Sequence, residues 1–223
     1  MIGMDYEQDV NKKTRESYIM KNENGLRAAT WRSDKALYIT QAGIIAAIYV
    51  VLTVVFAPFA FKEVQVRIAE ALTILPFFFP AAVPGVFIGC IIGNILGGAV
   101  LPDIVFGSLA TLIGALGTYY VGIVYRKRKE YRTGNSLGFT GNGKYATSPF
   151  EQGSRSNSGG NPLIKYLIIA AIPPIIANAI IVPFVLRYAY GVPMAIPLMM
   201  LTVGAGEIIS CGILGVLLGR AVS

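Results

Sequence analysis

Two long apolar blocks alternate with polar segments along the 223-residue chain. The first block covers residues 36–125 and the second covers residues 163–219. A polar tail of mixed charge precedes the first block, and a basic segment rich in Gly, Ser and Asn separates the two. Because a helix needs about 20 apolar residues to cross a bilayer, blocks of this length predict several membrane-spanning helices.

Pro/Gly pairs and charged patches divide the two blocks into six predicted helices. Their approximate bounds are 37–57, 66–79, 83–98, 102–125, 163–187 and 194–219. The second and third are short, because about 14 residues rise only about 21 Å against a hydrocarbon core of about 30 Å. Either these two helices stop part-way and border a cavity, or their bounds are misplaced.

The predicted fold is an all-α integral membrane protein of the cell membrane, with six transmembrane helices and both termini in the cytoplasm. The expected segments are a partly disordered tail over 1–35, helices 1–4 over 36–125, a disordered cytoplasmic loop over 126–162 and helices 5–6 over 163–223. This topology leaves every Lys and Arg except Lys62, Arg67 and Arg187 on the inner side, as the positive-inside rule requires.

Composition narrows the possible functions. Hydrophobic residues make up 54% of the chain and charged residues 14%, against about 25% charged in a typical soluble domain. The sequence has no His, which removes the commonest metal ligand and the usual general base, so we expect no metal, no cofactor and no catalysis. The net charge of +7 lies mostly in the tail and the basic segment. It therefore favours attraction to anionic lipid over nucleic-acid binding.

Six polar residues remain within or beside the predicted spans, where such groups are costly and usually face a cavity or a partner. They are Arg67, Glu70, Asn94, Asp103, Asn178 and Glu207. All but Glu207 fall in the outer half, and Glu207 lies just below them near the middle of helix 6. The inner half has almost no polar residues, so the pattern indicates a pocket open to the outside rather than a pore.

Each of these residues also has a structural interpretation. Arg67 and Glu70 share a face at i,i+3 spacing and could form a local ion pair worth about 0–1 kcal/mol. Asp103 opens helix 4 and could cap it. Glu207 could pair with Arg67, and each Asn could form an interhelical hydrogen bond.

Helices 5 and 1 carry further signals. Pro173, Pro174 and Pro183 cannot donate N–H bonds, so the carbonyls four residues earlier, Ala170 among them, need another partner inside a membrane. Helix 1 contains two overlapping pairs of small residues at four-residue spacing, which predicts that this helix docks closely on another. The pairs are Ala42 with Ala46 and Gly43 with Ala47.

Three segments carry a resemblance to a known family. They are VQVRIAEALTILP at 64–76, FPAAVPG at 79–85 with Gly89, Cys90 and Asn94 after it, and DIVFGSLATL at 103–112. These segments resemble the QueT family, whose members are membrane substrate-binding subunits (S-components) of energy-coupling factor importers. The resemblance is strong over 37–125 and looser over 163–219.

The resemblance implies an S-component-like bundle that takes up a queuosine precursor, a 7-deazaguanine such as the aminomethyl form or queuine. It implies assembly with the transmembrane coupling protein EcfT and two cytoplasmic ATPases, since the sequence has no nucleotide-hydrolysis motif of its own. The face presented to EcfT would be formed by Ala42, Gly43, Ala46 and Ala47. An S-component for another small vitamin and a stand-alone small-solute carrier are the alternatives.

The resemblance also implies that the polar residues bind the substrate. Glu70 or Glu207 would accept hydrogen bonds from the guanine-like edge, and Asn94 and Asn178 would meet its carbonyl and ring edge. Asp103 is the candidate for a protonated amine. Arg67 completes this predicted binding set.

Overall fold

A computed structural model describes residues 34–56, 67–136 and 162–223. These residues form six helical elements and no strand, which confirms the predicted all-α fold. The elements are α1 Asp34–Val55, α2 Ile68–Phe77, α3 Ala82–Leu96, α4 Leu101–Ser136, α5 Pro162–Tyr188 and α6 Ile196–Val222. The chain divides into two compact units, Met1–Gln41 and Ala42–Ser223, and the core and the buried polar groups belong to the second.

Four helices are long and apolar enough to cross a membrane. They are α1, α5, α6 and the part of α4 from Leu101 to Lys129. The other two are shorter, as the sequence predicted: α2 has 10 residues and α3 has 15. Because α2 is a 3₁₀ helix that advances about 2.0 Å per residue, it covers only about 20 Å. The fold is therefore that of a multi-pass membrane protein in which α2 and α3 are shorter than a hydrocarbon core is thick.

Helix α4 is longer than the sequence predicted. It continues to Ser136, so the first part of the expected disordered loop 126–162 is helical. Arg and Lys are good helix formers, and Arg126 holds the extension against the bundle by donating to the Phe77 carbonyl at 2.8 Å. A helix that grows out of a packed span needs no apolar periodicity of its own. Residues 1–33 and 137–161, where the tail and the rest of that loop were predicted, lie outside the described residues.

Helix α1 packs on α3 through glycines spaced four residues apart. A Cβ added at Gly89 would lie 2.7 Å from Tyr49 Cβ and 3.0 Å from the Ala46 carbonyl oxygen. A Cβ at Gly93 would lie 3.0 Å from Thr53 Cβ. The two backbones can approach this closely only because these positions of α3 carry no side chain.

The small residues of α1 point in two directions. Ala46 is buried and the carbonyl of Ala42 lies 2.9 Å from a Cβ built at Gly85, so these two face α3. Gly43 and Ala47 are exposed. The predicted docking face for a partner protein is thereby reduced to Gly43 and Ala47, because α3 already covers the other pair.

Helices α4 and α5 pack closely where prolines of α5 lie against glycines of α4. A Cβ at Gly114 would lie 2.6 Å from Pro174 Cα. The carbonyl of Ala170, which Pro174 leaves without its helical donor, accepts a hydrogen bond from Thr118 Oγ1 at 2.7 Å. The sequence predicted that this carbonyl needs a substitute donor, and the donor is a threonine of the neighbouring helix.

Replacing Thr118 by valine is expected to lower the free energy of unfolding by about 1 kcal/mol, because the buried Ala170 carbonyl loses its only side-chain donor among the described residues. The midpoint of thermal unfolding of the purified protein in detergent measures the effect. Thr118→Ser keeps the hydroxyl and serves as the control, so a valine variant as stable as the serine variant would contradict this role.

Candidate functional site

The polar groups gather where two helices depart from α geometry. Helix α2 is 3₁₀ over its full length, and its residues Ala69–Phe77 are all buried. In α6 the backbone widens into a π-helical segment over Ile208–Gly215, directly after Glu207. Such departures are uncommon in long stretches and often accompany functional sites. Here they bring Glu70 of α2 and Glu207 of α6 into one buried cluster.

Glu70 is held by side chains from two other helices. Its Oε1 accepts hydrogen bonds from Tyr49 of α1 at 2.6 Å and from Thr111 of α4 at 2.7 Å. The residue is fully buried. Its second oxygen, Oε2, has no hydrogen-bond partner among the described residues. Two donors therefore fix the carboxylate and leave one oxygen free to accept from a ligand.

Glu207 is connected to Glu70 through Cys211. The Cys211 thiol donates to Glu207 Oε2 at 3.1 Å and lies 3.3 Å from the Glu70 carbonyl oxygen. Side-chain ligand atoms of Glu70, Glu207 and Cys211 lie within 4.8 Å of one another. This spacing is short enough for the three to share a metal ion, a possibility that the lack of His had made unexpected.

Arg67 forms a buried ion pair with Asp103. Its Nη2 contacts the two carboxylate oxygens at 3.0 and 3.1 Å. The Tyr190 hydroxyl donates to Asp103 Oδ2 at 3.0 Å from the connection between α5 and α6. Burial raises the pKa of Tyr190, and the negative charge of Asp103 raises it further. The phenol therefore stays protonated and acts as the hydrogen-bond donor. Both oxygens of Asp103 are thus engaged, while Arg67 Nε and Nη1 have no partner among the described residues.

Asn94 of α3 and Gly107 of α4 lie beside the Arg67–Asp103 pair. A Cβ built at Gly107 would lie 2.8 Å from Asp103 Oδ1, 3.3 Å from Arg67 Nη1 and 3.5 Å from Asn94 Nδ2. Asp103, Gly107 and Thr111 recur at every fourth position and so share one face, rising about 12 Å in all. The unpartnered donors, Arg67 Nε and Nη1, therefore lie at one end of this face, and the unpartnered acceptor, Glu70 Oε2, lies near Thr111 at the other end.

Asn178 is the remaining predicted site residue. It is completely buried in α5, and neither its amide nitrogen nor its amide oxygen has a hydrogen-bond partner among the described residues. The amide lies close to the Glu207 carboxylate but makes no hydrogen bond of good geometry with it. A buried polar group without a partner is rare in a folded protein. We therefore assign Asn178 to the same cluster.

A cleft leads to the Arg67 end of the cluster. It lies between α1 and the beginning of α2, with Asn94 of α3 on its wall. Its polar lining consists of Tyr49, Thr53, Arg67 and Asn94.

The structure brings together all six polar residues that the sequence selected, but it changes their partners. Arg67 pairs with Asp103 and not with Glu70 or Glu207, because it precedes α2 and is directed at the first turn of α4. The Asp103 carboxylate accepts hydrogen bonds from Arg67 and from Tyr190.

The sequence interpretation missed Tyr49, Thr111 and Cys211. Tyr49 lies three residues after Ala46, on the same buried face of α1, which was considered only for docking. Cys211 lies one helical turn after Glu207, a spacing that places the two side chains on one face. Thr111 falls inside the apolar run of α4, where a single hydroxyl gives no signal.

Long apolar helices around a buried, incompletely paired polar cluster define a multi-pass membrane protein. The comparisons with known proteins agree with this class. A family model described as "QueT transporter" matches residues 39–223, and the chain belongs to this family. Neither the comparison with curated proteins nor that with solved structures gives a match.

Proposed function

We propose that this transporter-family chain is the substrate-binding subunit, or S-component, of an ATP-driven energy-coupling factor importer. Its substrate would be a queuosine precursor, a 7-deazaguanine such as the aminomethyl form or queuine. The observation that carries the proposal is the buried cluster, in which Glu70 Oε2 is free to accept and Arg67 Nε and Nη1 are free to donate. A purine-like ring with donors on one edge and a carbonyl beside them is complementary to this free acceptor and these free donors.

Each residue then has a role in binding. Glu70 and Glu207 accept hydrogen bonds from the N–H groups of the ligand, and Asn178 contributes its free amide beside them. Arg67 and Asn94 donate to acceptor atoms of the ligand near Gly107. Because both oxygens of Asp103 are engaged by Arg67 and Tyr190, we assign Asp103 to positioning Arg67 and no longer to binding an amine.

The pocket would open to the outside, with both termini in the cytoplasm. Helix α4 carries Asp103 in its first turn and the basic residues from Arg126 to Lys129 near its other end. These two positions are about 35 Å apart along the helix, enough to place them on opposite sides of a bilayer. Since the positive-inside rule favours the cytoplasm for the basic end, the Arg67–Asp103 end faces outward.

Titration of the purified chain by calorimetry tests the substrate assignment. We expect the aminomethyl 7-deazaguanine to bind and flavin, thiamine and folate not to bind. Glu70→Gln and Glu207→Gln are each expected to weaken binding by about 1.5–3 kcal/mol, because a charge-assisted hydrogen bond is lost. Affinity that stays within twofold of the parent in both variants would overturn the assignment of these carboxylates.

Reconstitution separates the S-component from a stand-alone carrier. Vesicles that contain this chain with EcfT and the two ATPases should take up the ligand only when ATP is supplied to the ATPases. Uptake by vesicles that contain this chain alone would instead favour a self-sufficient carrier. Tight binding of another vitamin in the calorimetric series would retain the S-component and change its substrate.

A further inference from the structure

We propose that the carboxylate pair of Glu70 and Glu207 makes the site selective for positively charged ligands, so that a protonated amine binds in preference to a neutral group of similar size. The inference rests on the proposed function, because it specifies which members of the 7-deazaguanine class the site accepts. It follows from a count of buried charges and from the polar atoms left free beside the pair.

Buried acids outnumber buried bases in the described residues. Arg67 is the only buried base in the described segments, and it forms its ion pair with Asp103. Glu70 and Glu207 are both buried and have no cation within ion-pair distance in the described part of the chain. Their described hydrogen-bond donors are the hydroxyls of Tyr49 and Thr111 and the thiol of Cys211, all of them neutral. The two carboxylates therefore lack a compensating positive charge.

A second observation concerns the free polar atoms of another side chain. Asn178 is completely buried beside Glu207, and both polar atoms of its amide are unpartnered in the described residues. A buried amide loses free energy when it leaves water without gaining hydrogen bonds. An unsatisfied amide next to an unsatisfied carboxylate oxygen indicates a place where a ligand supplies the missing donors and acceptors.

Electrostatics determines the kind of ligand. Two buried carboxylates this close repel each other when both are ionised, and each charge is costly to remove from water. A neutral ligand can donate hydrogen bonds to them but brings no positive charge to offset this cost. A ligand with a protonated amine supplies one positive charge and forms charge-assisted hydrogen bonds, which are about twice as strong as neutral ones. The pair therefore favours the cation.

Two ligands that differ in charge at one substituent test this selectivity. The aminomethyl 7-deazaguanine carries a protonated amine at neutral pH, and its nitrile counterpart carries a neutral group on the same ring position. Both are titrated by calorimetry into the purified full-length protein, with a chelator present so that a metal ion held by Cys211 and the acids does not contribute. We expect the aminomethyl form to bind at least about tenfold more tightly.

Variants identify the source of the preference. Glu207→Gln removes one ionisable carboxyl without changing the size of the side chain and is expected to reduce the preference to about threefold or less. Tyr49→Phe is the matched control, because it removes a hydrogen bond to Glu70 but keeps both carboxylates. In this control both ligands are expected to bind more weakly and the preference for the cation is expected to persist.

The outcomes separate this inference from the proposed function. If the nitrile form binds as tightly as the aminomethyl form, the charge selectivity is overturned while a 7-deazaguanine site remains. If neither form binds, the proposed substrate class fails and the inference fails with it. A preference that is unchanged in both Glu207→Gln and Glu70→Gln would show that the carboxylate pair is not its source and would overturn the inference as well.

Discussion

Replacing Asp103 by alanine is expected to destabilise the protein by about 3–5 kcal/mol, because it leaves the charge of Arg67 buried without its partner. Arg67 is only 6% exposed, and its Nη2 lies 3.0 Å from Asp103 Oδ1. The loss also frees the Tyr190 hydroxyl, which bonds the same carboxylate. Thermal and denaturant unfolding in detergent, followed by circular dichroism, measures the change. Ligand affinity should fall with it, since Arg67 loses its fixed position.

A double variant separates the stability of this pair from its function. Arg67→Met combined with Asp103→Leu removes both charges and is expected to recover most of the stability, because well-packed apolar residues can replace a buried ion pair. Ligand binding should stay weak in the double variant, because the free donors Nε and Nη1 of Arg67 are gone. Asp34→Ala, at an exposed carboxylate, is the control and should change stability by no more than about 0.5 kcal/mol. A tolerated Asp103→Ala would contradict the ion pair.

The architecture could be predicted from the sequence because membrane spans depend on local composition. A bilayer requires long apolar segments, and the proline and glycine breaks between them are visible in the chain. The shortness of α2 and α3 followed from the same reasoning. The need of Ala170 for a new partner was predictable from Pro174, but its partner Thr118 was not, since that contact joins residues 52 positions apart.

The partners within the site could not be predicted because they depend on packing between helices. The i,i+3 argument for Arg67 and Glu70 assumes an α-helix that contains both residues. Arg67 instead precedes a 3₁₀ helix, which has 3.0 residues per turn, and its carboxylate partner is 36 positions away. Sequence identified which groups are costly to bury, and only the three-dimensional packing determined which of them neutralise one another.

The role of α1 likewise depends on packing between helices that the sequence does not reveal. Small residues at four-residue spacing predicted a docking helix, but the sequence did not show that α3 carries matching glycines at Gly85, Gly89 and Gly93 as the surface on which it docks. That internal contact places Tyr49 against Glu70. Helix α1 is thus a wall of the proposed site as well as a candidate contact for a partner.

Replacing Gly89 by alanine is therefore expected to affect both the fold and the site. The added Cβ would lie 2.7 Å from Tyr49 Cβ and 3.1 Å from Ala46 Cα. Neither atom can rotate away, so α1 must move off α3 at a cost of about 1–3 kcal/mol. Unfolding in detergent measures this cost. Ligand affinity should fall at least about tenfold, because the displaced Tyr49 hydroxyl no longer orients Glu70.

Gly43→Ala is the matched control for Gly89→Ala, because a Cβ at Gly43 meets nothing within 4 Å. Alanine is the better helix former by about 1 kcal/mol, so this variant should be at least as stable as the parent and bind the ligand equally well. Tyr49→Phe isolates the hydroxyl from the movement of the helix. If Gly89→Ala loses stability but keeps its affinity, and Tyr49→Phe also binds normally, then Tyr49 is a packing residue and the site ends at Glu70. If both variants lose affinity, the wall formed by α1 is part of the binding site.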